Sequence, residues 1–367
     1  MPSAGAALAT AVALAAGVAL ARAGRGRLAA TRETPDLALL PGEPLEQGLK
    51  RMALEQLDLV LGQLTASNGG APDEEAVHEM RKALKRLRSL LRLLETSLGK
   101  QALARETEQL RAVARSLAGA RDSKVMLDTL DGLIERHPRK LGASTEVARL
   151  REHLAQEHAS IRAHTVGDAS TRSHALGELR VAHARIAAWQ LPAAGELELA
   201  EPGLLRLYSQ GRARLRVAAR QKGEPSTVAM HEWRKRVKDL RYTAEMLQHA
   251  ERAQRPALPG PAGRHAKRRR SAARRQAKLL RGVARAADEL AEVLGEDHDL
   301  AVLGEIVRAH ARGSARPRLR RRTRRRLEKA IHARRHELRR RALRDGERLY
   351  ALSPKKFLRR VREAAGA

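Results

Sequence analysis

Two stretches of this chain set cations in a row. Val77–Arg88 reads VHEMRKALKRLR and Met230–Arg241 reads MHEWRKRVKDLR, so H-E-x-R-K-x-x-K-x-L-R occurs twice, 153 residues apart (231 − 78). The chemistry open to such a row is the holding of anions. A guanidinium clamps phosphate oxygens through two parallel charge-assisted bonds, and an ammonium acts as a mobile point charge. Nothing around the rows suggests turnover. The chain has no G-x-x-x-x-G-K-[ST] loop, no G-x-S-x-G elbow and no H-E-x-x-H pair. A binding protein with no catalytic residue, no metal and no cofactor is expected.

Helices must position these groups. At about 100° per residue, His78, Arg81, Lys85, Arg88 and Arg92 share one stripe, while Val77, Met80, Leu84, Leu87, Leu91 and Leu94 form another. The second copy repeats the division, with His231, Arg234, Lys238 and Arg241 against Met230, Trp233, Val237, Leu240 and Ala244. A solvated helix face has no need to repeat its residue types, and it usually carries i,i+4 ion pairs that are sparse here. Two such helices would line a shared cationic groove.

Composition agrees. The 367 residues include 73 Lys+Arg against 42 Asp+Glu, a formal net charge of +31. A charge of that size opposes compaction and favours a polyanionic partner. Nucleic acid, inorganic polyphosphate and an acidic membrane surface are the candidates. Aromatics are only 2%, which argues against single-strand binding by base stacking. There is no cysteine, so disulfides and thiolate metal sites are excluded. Ala and Leu at helical spacing make the fold all-α.

Along the chain, residues 1–34 are Ala-rich. The uncharged run Ala4–Ala21 is read as a disordered tail rather than a membrane anchor, because Ala and Gly supply little drive for insertion. Helices are expected from Pro44 to about Thr65, then from an N-cap at Asp73 to near Gly99. Others should cover about Gln101–Leu117, Val125–His137, Ser144–His164 and Ser170–Trp189. Leu191–Gly203 then connects a first repeat (about 44–190) to a second (about 203–363). Two helical bundles related by duplication follow from this register. Residues 254–275, with the run KRRR, have no counterpart in the first half and are expected to form a mobile basic loop. LGEDHD (Leu294–Asp299) matches LAGARD (Leu117–Asp122) at an offset of 177 (299 − 122), and Asp122 and Asp299 are expected to cap the helices that follow. The sharper reading of Glu296, His298 and Asp299 as metal ligands is the lesser one.

The paired H-x-x-R-K-x-x-K/R-x-x-R helices and the paired L-G-x-x-R-D-like turns resemble the CHAD family, named for its histidine-containing α-helical domain. The opening PGEPLEQGLKRMALEQLDLVL and the late ERLYALSPKKFLRRVR are similar to the start and end of that domain. The resemblance spans about residues 35–363. It implies two antiparallel four-helix bundles around a basic central channel that binds inorganic polyphosphate, and association with polyphosphate granules in the cytoplasm. Carried onto this sequence, the ligand set is Arg81, Lys82, Lys85, Arg88, Arg234, Lys235, Lys238 and Arg241, with Arg51 and Arg206 as second choices. His78 and His231 either bind phosphate when protonated, orient the channel wall, or sit neutral and hydrogen-bonded. The chain departs from the family pattern at Ala118, where Gly is usual, and at His298, where Arg is. The alternative function is nucleic-acid binding, suggested by the net charge and the basic helix 318–341.

Overall fold

The computed structural model describes residues 37–40, 43–66, 73–116, 119–165, 169–193, 197–248, 264–312 and 317–366, all within one compact unit, Leu37–Ala367. Among these residues there is no β-strand, and the fold is all-α. The run Ala4–Ala21 lies outside them. Among the described residues no helix is long and apolar enough to cross a membrane.

In the first half, α1 (Leu45–Ala66), α2 (Glu74–Leu93), α4 (Lys100–Ser116) and α7 (Ala169–Ala187) close a ring in which α1 packs on α2 and α7, and α4 packs on the same two. The short α3 (Glu95–Leu98) turns the chain between α2 and α4. Gly99 ends it at φ 82°, in the region that favours glycine. A hairpin of α5 (Gly119–Arg136) and α6 (Thr145–Thr165) stands beside the ring, its bend a π-turn at Pro138–Gly142. Proline stops α5 as its missing N–H requires.

The second half comprises α8 (Glu201–Arg220), α9 (Glu224–Met246), α10 (Arg264–Arg312), α11 (Arg321–Leu349) and α12 (Pro354–Ala365). Helix α10 is the spine and carries α9, α11 and α12, while α8 packs on α9 and α12. One apolar core runs through both halves, with Leu49, Met52, Met80, Leu84, Leu91, Trp233 and Leu240 fully buried in it.

Most boundaries follow local chemistry. The Asp73 side chain accepts from the Ala76 N–H at 2.7 Å as the expected cap of α2, and Ser353 caps α12 in the same way. Two expectations are corrected. Residues 264–275 are not loop but the first turns of α10. Ala272, Gln276, Ala277 and Leu280 recur on one face and are buried, and that inward face outweighs the repulsion of the arginines beside it. The remainder of that segment, 254–263, lies outside the described residues. Asp299 is not a cap, because α10 passes through GEDHD unbroken with Leu290, Ala291, Leu294, Leu300 and Leu303 keeping its core face. Asp122 likewise lies within α5 rather than before it. In sequence register, α4 and α5 together answer to the single helix α10.

Candidate functional site

The two motif helices meet. Helix α2 packs on α9, and their cations converge along the seam. Lys85 shows this most directly. Burial, then repulsion from Lys238, Arg81, Arg234 and Arg88, pushes its ammonium down to about 7. Lys238, from the other helix, is pushed down to about 8 by burial and by Arg234, with Arg241 adding to the repulsion and Glu292 and Asp299 opposing it. Burial and Arg92 bring the Arg88 guanidinium down to about 10.

None of Lys85, Arg88, Arg234 and Lys238 has a carboxylate within ion-pair distance among the described residues, and the Nε of both Arg88 and Arg234 is buried without a hydrogen-bond partner. Buried charge is costly unless paired. Unpaired cations on both sides make the seam a candidate anion site.

Around this centre the predicted residues divide. Arg81 belongs to the cluster through its repulsion of Lys85. Arg241 sits at one end and is anchored to Glu245 at 2.8 Å and to Asp288. Lys82 pairs with Glu79 at 3.2 Å, and at the same offset Lys235 pairs with Glu232, so both lysines are tied to their own helices. Arg51 and Arg206 are not brought into the cluster. Arg51 joins Glu43, Glu55 and the Ala38 carbonyl, fastening the entry segment to α1. Arg206 donates to the Arg92 carbonyl and reaches Glu95 at 3.2 Å, joining α8 to the end of α2. His78 is partly buried near the start of α2. His231 stacks on His298 with ring centroids 4.3 Å apart, and burial followed by His298 and Lys235 lowers it to about 4. With no anion in the seam His231 is therefore uncharged at neutral pH.

Helix α10 closes one side. Its Gly295 lets Arg234 cross closely, since a Cβ there would sit 2.8 Å from Nη2. Beside the seam lies a cavity of about 630 Å³ between α5, α10 and α11, which Arg234 also lines. Five carboxylates (Asp128, Glu289, Glu292, Glu296 and Asp299) and four arginines (Arg136, Arg234, Arg334 and Arg341) share that lining, and this mixed wall is less suited to a polyanion than the cationic seam, which is the candidate site. Within GEDHD, Glu296 takes a bidentate bond from Arg334 (2.6 and 2.7 Å), and buried Asp297 accepts from Arg335 and Arg339 at 3.0 Å each. The segment is a clasp for α11. Among the described residues no group of three or more His, Asp or Glu is placed to hold a metal.

The CHAD domain family model matches residues 53–308 of this sequence. The chain belongs to the CHAD domain family. Among solved structures it is similar to PptA from Streptomyces chartreusis (TM-score 0.55, 17% identity, covering 83% of this chain and 100% of that one). It is also similar to the CHAD domain from the plant Ricinus communis (TM-score 0.51, 19% identity, covering 84% of this chain and 90% of that one). At these identities the likeness is one of fold. No curated protein matches the sequence.

One residue of this CHAD domain escapes motif reasoning. Asp239 stands where the first motif copy has Arg86. It is buried, accepts from Ser89 at 2.9 Å and Arg92 at 2.8 Å, and pairs with Arg236 at 3.1 Å. It is the bond between the two cationic helices. The signal was available in the sequence as the one reversal of charge within the repeat.

Proposed function

We propose that this CHAD domain binds inorganic polyphosphate along the α2–α9 seam and is carried by that binding to polyphosphate bodies. The observation that supports it is the set of cations, Lys85 and Arg88 on one helix and Arg234 and Lys238 on the other, that converge with no carboxylate within ion-pair distance among the described residues. Their counter-ion must come from outside. A thread of phosphates carries its charge densely and has no bases to accommodate, which suits a narrow seam walled by helices. Arg81, Lys82, Lys235 and Arg241 extend the row at its edges.

The reading is of binding without turnover. Incubation with long-chain polyphosphate and magnesium should release no phosphate above the rate of the free polymer. The direct test is charge reversal of Arg81, Lys85, Arg234 and Lys238 to Glu, leaving Asp239 and Arg92 in place to hold the helices together. Binding of long-chain polyphosphate in a filter assay should fall by at least about a hundredfold, which four lost charge-assisted contacts readily account for, while the helical circular dichroism spectrum is kept. Unchanged affinity in a folded variant would remove the seam from consideration.

A further inference from the structure

Helix α11 carries a second set of cations that the seam does not use. Arg322, Arg325, Arg326, Lys329, Arg340 and Arg344 are exposed. They lie on the face opposite Leu327, Ile331, Leu338 and Ala342, which are buried. From Arg322 to Arg344 this ridge runs about 33 Å at the rise of an α-helix. None of the six is within ion-pair distance of a carboxylate among the described residues. The contrast within the helix is sharp. Three arginines on its flank are engaged, Arg334 with Glu296 and both Arg335 and Arg339 with Asp297. A helix that pairs its flank and leaves its crest bare tolerates like-charge neighbours at i,i+3 and i,i+4, an arrangement that disfavours the helix unless something offsets it.

We infer that this ridge is a second polyphosphate-binding surface, so that one molecule holds two chains, or two stretches of one chain, and cross-links the polymer. The inference rests on the seam reading for the nature of the ligand. The geometry separates polyphosphate from other polyanions. Arg322, Arg325, Arg326 and Lys329 fall on successive turns of one helix face, and Arg340 and Arg344 resume that face beyond Ala333, His336 and Glu337, a linear array that a flexible thread can follow. A nucleic-acid duplex winds its phosphates about its own axis, so a straight helix follows it for only a short arc. Single strands call for stacking aromatics, and α11 has no Phe, Tyr or Trp between Arg321 and Leu349. An anionic membrane calls for apolar side chains among the exposed cations, and the ridge presents none.

The test compares wild type, a ridge variant (R322Q, R325Q, R326Q, K329Q) and a seam variant (K85E, R234E, K238E). Glutamine keeps the helix and relieves repulsion, so the ridge variant should fold at least as well as wild type. Wild type mixed with long-chain polyphosphate should form turbid cross-linked assemblies that redissolve in excess polymer. The ridge variant should bind short chains with wild-type affinity yet remain clear with long ones, and the seam variant should keep a weak, strongly salt-dependent affinity. A ridge variant as turbid as wild type overturns the inference, as does a folded seam variant with no residual binding, and both leave the seam reading intact. A seam variant with wild-type affinity for short chains would overturn the seam reading instead. If the seam variant prefers duplex DNA to polyphosphate at equal phosphate concentration, the ridge is a nucleic-acid surface and the inference is wrong.

Discussion

Replacing Lys85 with methionine should make the protein more stable and at the same time a poorer binder of polyphosphate. The ammonium is buried against Lys238, Arg81, Arg234 and Arg88, and its pKa falls from 10.5 to about 7. One pKa unit corresponds to about 1.4 kcal/mol, so a drop of that size in a sealed site would cost about 5 kcal/mol. Lys85 is only partly sealed, and water and salt screen some of the repulsion, which leaves about 2–3 kcal/mol. Methionine keeps most of the lysine stem and its packing while removing the charge.

The sign follows from proton counting. Below about 7 the lysine is charged in both folded and unfolded chains, and the folded state bears the whole penalty. Between about 7 and 10.5 the unfolded chain holds more protons than the folded one, so wild-type stability rises with pH, and above that range the penalty is gone. The gain from Lys85→Met should therefore be largest near pH 6 and shrink towards zero on approach to pH 10.5. Urea unfolding of both proteins at about pH 6 and about pH 9, with equal m-values, measures it. A variant less stable than wild type at the lower pH, or a gain equal at both, would refute the reasoning. Polyphosphate should reverse the ranking, because a ligand stabilises in proportion to its affinity for the folded state.

Three further outcomes follow from the same geometry. Filling the seam with phosphates should return protons to Lys85 and Lys238, whose values of about 7 and about 8 leave the first largely neutral and the second about half neutral near pH 8; calorimetry in buffers of different ionisation enthalpy should show proton uptake, and none would mean that the ligand lies elsewhere. Asp239→Asn keeps an oxygen for Ser89 but leaves Arg92 buried without its counter-charge, so a loss of about 3 kcal/mol is expected in urea unfolding. Gly295→Ala places a methyl 2.8 Å from Arg234 Nη2 and must displace that guanidinium; helix propensity should hold or raise the melting temperature while polyphosphate affinity falls by about tenfold, one charge-assisted contact.

How much of this could be read in advance depended on how local its cause was. The amphipathic period placed α2 and α9, and the doubled motif implied that their stripes meet. The cap at Asp73 marked the start of α2, and the ends expected near Thr65 and His137 agree with those of α1 and α5. What failed was inference from charge alone. The KRRR run looked self-repelling, yet residues 264–275 are helical and lead into the buried face of Ala272, Ala277 and Leu280. GEDHD looked like a helix start, yet its acids answer to Arg334, Arg335 and Arg339 on α11, which are distant in sequence. Arg51 and Arg206 matched in position but not in role, because Glu43 and Glu55 engage the first while Glu95 and the Arg92 carbonyl engage the second. In each case an interaction from a remote segment decided what a locally ambiguous residue does.

The departure from symmetry at Asp239 has a physical cause in the site itself. Two identical cationic helices pressed together would repel along their whole length, and core contacts alone would have to hold the seam shut. The chain instead changes sign at two places related by the same 153-residue offset as the motif (239 − 86 and 245 − 92). Arg92 on α2 meets Asp239 on α9, and Glu245 on α9 is the foremost attractive charge acting on Arg86 of α2. The two attractions have their signs exchanged, so they offset part of the cross-helix repulsion that Lys238 and Arg234 exert on Lys85. Exchanging the signs of one pair, Arg92→Asp with Asp239→Arg, should restore much of the stability that either change removes alone, a coupling readable in a double-mutant cycle. Absence of coupling would show that the core alone holds the helices together and that the reversal in the repeat has no part in keeping the seam closed.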